Sequence, residues 1–114
     1  MEIQIDSSAP DLRHVRLTGR LDAAGVGQVD VRFLAATAGS GKDAIADLTG
    51  VAFIASLGIR LLVDAARALK AKDRRMVLVV ADGLVRDTLR NAGIDQLIAT
   101  VASDAEARAF LAAA

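Results

Sequence analysis

Apolar positions along the chain repeat every second residue in some stretches and every three to four in others, and the changes of period divide it into strands and helices. Ile3 and Ile5 alternate with polar residues, as do Val15 and Leu17 after the Ser7-Ser8-Ala9-Pro10-Asp11 break. This predicts an opening hairpin at a sheet edge, with Pro10 in the turn. Gly19 is expected to end the second strand. Asp22 is then placed to cap a helix reaching about Ala36, with Val26, Val29, Phe33 and Leu34 on its inner face. Gly25 and Gly27 weaken its first turns. Ala38-Gly39-Ser40-Gly41 reads as a loop feeding the apolar run Ala44-Ile45-Ala46. That run predicts a buried strand ending near Asp47, because Thr49-Gly50 is turn chemistry.

A helix is expected to start near Leu57. Leu57, Leu61, Leu62, Ala65 and Leu69 share one face, and Arg60, Asp64, Arg67 and Lys70 share the other. Ser56 stands before its first turn, where a serine caps unpaired N–H groups and where the helix terminus favours negative charge. Asp73-Arg74-Arg75 is a charged turn into Met76-Val77-Leu78-Val79-Val80, whose unbroken apolar character predicts a strand buried on both faces. Asp82-Gly83 opens a third helix carrying Leu84, Val85 and Leu89 inward and stopping at Gly93. Leu97 to Val101 reads as a last short strand. Ser103-Asp104-Ala105-Glu106 has capping-box spacing for a final helix through Phe110 and Leu111. Strands and helices that alternate from residue 15 onward imply parallel strands joined by right-handed crossovers, an α/β fold in one domain over 1–114.

Two stretches carry a family pattern. Leu17-Thr18-Gly19-Arg20-Leu21-Asp22 and Asp47-Leu48 followed by Phe53-Ile54, Ser56 and Gly58 resemble the STAS domain of anti-sigma-factor antagonists and of sulfate-transporter tails. The resemblance covers roughly Ile3 to Leu111. It implies a mixed sheet of about 4–5 strands with about four helices, mostly on one side. It also implies that Ser56 matches the serine phosphorylated in such antagonists, and that the Asp22 and Ser56 loops lie together facing a partner. The partner surface expected on that basis comprises Arg20, Asp22, Ala55, Leu57, Gly58 and Arg60. The partner implied is a kinase-like anti-sigma factor, with a phosphatase as a further candidate. The alternative is a STAS adaptor subunit of a transporter or signalling complex that uses no phosphate. Two departures bear on this choice: Ala55 replaces the usual acidic residue, and Leu57 stands where a second serine is common.

Composition narrows the rest. The chain has 114 residues, 54% apolar but only 3% aromatic, so the core is expected to be aliphatic. Lys plus Arg equals Asp plus Glu at 14 each, which gives no steering toward nucleic acid. There is no cysteine and only one histidine, His14, so neither a thiolate nor a histidine metal cluster is available, and no cofactor is expected. Gly39-Ser40-Gly41-Lys42 fails as a phosphate loop, since Ala36 stands where the first glycine belongs and Asp43 where Ser or Thr does. His14 is expected on a strand surface, and no nucleophile–base pair is evident, so catalysis is not expected. Asp47 as a phosphoryl acceptor lacks the acidic pair that magnesium would need. Without a leader pattern or a run of about 20 apolar residues, a cytoplasmic protein with no membrane insertion is the expectation.

Overall fold

The computed structural model describes residues 1–113. In chain order its elements are β1 (Glu2–Asp6), β2 (Leu12–Leu21), α1 (Ala23–Ala36), β3 (Asp43–Ile54), α2 (Ser56–Ala71), β4 (Met76–Val79), α3 (Leu84–Asn91), β5 (Ala99–Val101) and α4 (Asp104–Ala112). Single 3-10 turns sit at Ala38–Ser40 and Ile94–Gln96. The five strands lie side by side in chain order. β1 is antiparallel to β2, with Ile3 opposite Leu17 and Ile5 opposite Val15, as the opening hairpin requires. The other neighbours are parallel, so the sheet is mixed.

Alternation along the parallel strands sends side chains to two cores. Ala44, Ala46 and Leu48 of β3 join Leu78 of β4 and the inner faces of α1, α2 and α3, around the fully buried Phe33 and Leu62. Ile45, Val77 and Val79 face the other way and are covered by Ala107 and Leu111 of α4. Three helices therefore cover one face and one covers the other. His14 belongs to this second side: its Nε2 lies 3.1 Å from Asp104 Oδ1, tying β2 to α4, rather than standing free on a strand surface. Each fully buried aliphatic side chain contributes about 1.5–3 kcal/mol, and that burial drives the assembly.

Several boundaries differ from the sequence expectation. β3 does not end near Asp47, and β2 does not end at Gly19. The two strands stay paired to Leu21 opposite Ile54 because β3 carries two bulges. Arg16 and Thr18 oppose Asp47 and Gly50, and Gly19 and Arg20 oppose Val51 and Phe53, so each step inserts one residue on β3. Asp47, nearly buried, stabilises the first bulge: its Oδ1 accepts from Thr49 N at 2.9 Å and Thr49 Oγ1 at 2.7 Å. Thr49-Gly50 is thus an irregularity inside a strand. β4 pairs with β3 only as far as Asp47, so beyond it β2 and β3 run on as a two-stranded arm. Leu84, expected inward, is 62% exposed, and Leu97, expected to open the last strand, lies ahead of β5 and is 64% exposed.

Candidate functional site

The end of the β2–β3 arm brings the two sequence patterns together. Ala55 N donates to Leu21 O at 3.1 Å, so the turn into α2 is tied to the last residue of β2. Gly58, in the first turn of α2, is buried against the same residue: a Cβ there would lie 2.6 Å from Leu21 O and 2.8 Å from Leu21 Cγ. α1 docks similarly, since a Cβ on Gly25 would meet Arg20 O. Two glycines read respectively as a contact residue and as a helix weakener are instead the points where both helices approach the strand ends. The buried face of α2 is consequently Gly58, Leu61, Leu62, Ala65 and Leu69, and Leu57 turns outward, 48% exposed.

Asp22 caps α1 as expected, its Oδ1 accepting from Gly25 N at 2.9 Å. That hydrogen bond is the main cause that holds the Asp22 carboxyl below the ordinary carboxylate range; desolvation, next in size, opposes it, and the Arg20 guanidinium with Nε 3.5 Å from Asp22 Oδ2 reinforces it. Arg20 also lies over the ring of Phe53, its cross-strand neighbour, with 4.4 Å from Cζ to the ring centre. Arg20, Asp22 and Phe53 thus form one ordered patch. Phe53 was missed as a site residue because only the bulged register places it opposite Arg20.

Ser56 is not the cap of α2. It is the first helical residue, exposed, and Ala55 occupies the cap position with extended backbone (φ −110°, ψ 178°) and no side chain to accept a hydrogen bond. The first-turn N–H groups of α2 therefore have no side-chain acceptor from the cap, and the helix terminus next to Ser56 retains its partial positive charge. Arg60 is further along the same helix, 77% exposed, with Nε 3.8 Å from Asp64 Oδ2, a solvated pair of little energetic weight. The arrangement offers an exposed hydroxyl beside the apolar side chains of Leu57 and Ala55, at the strand end that carries the Arg20 patch. Between the arm and the start of α3 is a cleft of about 150 Å³, lined in part by Leu48, Val51 and Val85. Its volume is below the range of roughly 300–1,000 Å³ that suits a cofactor. Among the described residues no group of three His, Cys, Asp or Glu side chains has metal-holding geometry. No helix among them is long and apolar enough to cross a membrane.

A five-stranded mixed sheet with four helices, presenting the starts of α1 and α2 side by side on a bulged arm, defines an α/β module whose accessible feature is a surface. The family model for the STAS domain matches residues 3–107, and the chain belongs to that family. An anti-sigma factor antagonist from Mycobacterium paratuberculosis has a similar structure, with a TM-score of 0.86 at 15% identity over 96% of this chain and 92% of that one. A STAS domain protein from Planctomyces limnophilus gives 0.84 at 23% identity, covering 97% and 98%. The Bacillus cell fate determinant SpoIIAA in its phosphorylated form gives 0.63 at 20% identity, covering 93% and 96%. At these identities the likeness establishes the fold. Comparison with curated proteins by sequence finds no match.

Proposed function

We propose that this chain is a non-enzymatic, protein-binding regulator of the bacterial cytoplasm, an anti-sigma-factor antagonist that works by partner switching under control of Ser56 phosphorylation. The observation that carries the reading is the placement of Ser56: exposed, at the first position of α2, beside Leu57 and next to the Arg20–Asp22 patch. A partner that closes on Leu57 and Ala55 excludes water there. Phosphate on Ser56 adds about −1.5 to −2 charges, and burying them in that contact costs several kcal/mol unless the partner supplies cations. A loss of about 4 kcal/mol weakens binding roughly a thousandfold, enough for a switch. The uncapped terminus of α2 meanwhile accommodates the phosphate in the free protein. The neighbour solved in a phosphorylated form is in keeping with this use of the fold.

Ala55 favours a second reading, a STAS adaptor that never uses phosphate, because it removes the carboxylate that family members place beside the serine. Calorimetric titration against the cognate kinase-like anti-sigma factor separates the two. Ser56→Ala should bind like the wild type and Ser56→Glu should bind far more weakly. Equal affinities would end the switching proposal and leave the adaptor.

A further inference from the structure

The second half of α2 borders a groove that nothing covers among the described residues. It runs between α2 and the N-terminal ends of β4 and β5, with Ala66 and Ile98 in its floor and Leu97 and Phe110, 64% and 40% exposed, as its walls. Two adjoining hollows of about 270 and 120 Å³ lie in it. Two separate shallow hollows suit inserted side chains.

Its rim is uniformly basic. Arg67, Lys70, Arg74 and Arg75 line it, and no carboxylate does, in a chain whose charges balance at 14 against 14. None of the four is in an ion pair among the described residues. Arg75 is nevertheless held in place: it lies over the Phe110 ring at 5.4 Å and donates from Nη2 to Leu111 O at 2.7 Å. Arg74 Nε donates to Gly41 O at 3.1 Å. Backbone carbonyls orient these guanidinium groups without neutralising them, so their charge is preorganised for an anionic ligand.

We propose that this groove docks an acidic, amphipathic segment of a protein partner, with apolar side chains in the hollows and carboxylates over the four cations. Charge complementarity selects the acidic partner. Concavity selects a peptide over a membrane, because a bilayer is met by protruding apolar residues, whereas Leu97 and Phe110 wall a depression. The α2 residues that line the groove, Val63 to Lys70, lie about 10–20 Å along the helix from Ser56 at about 1.5 Å per residue, so it can be filled while the Ser56 surface is engaged. The proposal does not depend on phosphorylation.

The experiment pans phage-displayed random peptides of about four helical turns against the full chain, then titrates synthetic winners and maps them by amide chemical shifts. Winners should combine Asp or Glu with Leu, Ile or Phe and should shift the amides of Ala66, Leu97, Ile98 and Phe110. They should bind Leu97→Asp, and separately Arg67→Glu/Lys70→Glu, at least about tenfold more weakly, with Ser56→Glu unchanged. Both groove variants alter exposed side chains, and unchanged thermal melts check that they fold. Winners without acidic bias, winners that map to the Ser56 end, no enrichment, or equal affinity for the groove variants would each overturn the proposal. So would co-sedimentation of the chain with phosphatidylglycerol-rich vesicles that the same variants abolish, which would assign the groove to a membrane surface.

Discussion

Replacing Gly58 by alanine sets two effects against each other, and the structure decides the sign. Helix propensity favours the change, since alanine inside a helix is about 1 kcal/mol better than glycine. Packing opposes it. The new Cβ would stand 2.6 Å from Leu21 O, 2.8 Å from Leu21 Cγ and 3.0 Å from Ile54 Cγ1. An ordinary carbon–oxygen contact needs about 3.3 Å, so something must move by roughly 0.7 Å. The carbonyl cannot retreat freely, because Leu21 O already accepts from Ala55 N. Overpacking of this kind costs about 1–3 kcal/mol, which leaves Gly58→Ala less stable than wild type by about 1 kcal/mol.

Gly27 provides the control, because it sits in α1 and, apart from its chain neighbours and the backbone of its own helix, nothing lies within 4 Å of its would-be Cβ. Gly27→Ala should therefore gain close to the full propensity difference of about 1 kcal/mol. The same chemical change at two helical glycines thus differs by about 2 kcal/mol, or roughly 1 M in the urea midpoint. Far-UV circular dichroism during urea titration of the three proteins measures it. The amides of Arg20, Asp22 and Ser56 should also shift in Gly58→Ala, since the first turn of α2 rests on Leu21. If Gly58→Ala gains stability as Gly27→Ala does, the close docking of α2 on the end of β2 is refuted.

Ala55→Asp should stabilise the protein by about 1 kcal/mol by giving α2 the side-chain cap it lacks, and an unchanged melting temperature would refute the cap assignment. Ser56→Ala should change stability by less than about 0.5 kcal/mol, because Ser56 caps nothing; a larger loss in the same melts would restore the capping role. The Asp22 carboxyl is held below its ordinary range in the folded state, so its contribution is fully present above that range and is lost as pH falls through it to the lowered folded value. Asp22→Asn keeps a capping oxygen but no charge, and its deficit against wild type should shrink in melts between neutral pH and pH about 3; a pH-independent deficit would refute this.

The element order and the α/β class were legible in the sequence because they rest on local regularities. Ile3 and Ile5 against Val15 and Leu17 show a period of two, and Leu61, Leu62, Ala65 and Leu69 show the helical one. Asp22 capping Gly25 and Ser103 capping Glu106 are also local, spanning three residues each. What the tertiary structure decided are matters of pairing and docking. Turn residues Thr49-Gly50 became part of β3 because continued pairing with β2, with Asp47 accepting from Thr49, outweighed their turn preference. Whether Leu57 or Gly58 faces the core depended on how α2 rotates when its first turn meets Leu21 O, which no periodicity within α2 specifies. The same one-residue advance in helix start made Ser56 the first helical residue and left Ala55 as an empty cap. Arg20 found Phe53, and His14 found Asp104, through a bulged register and a helix on the opposite face. Contacts between residues more than 30 positions apart depend on how the whole chain packs, and local sequence carries no direct signal of them.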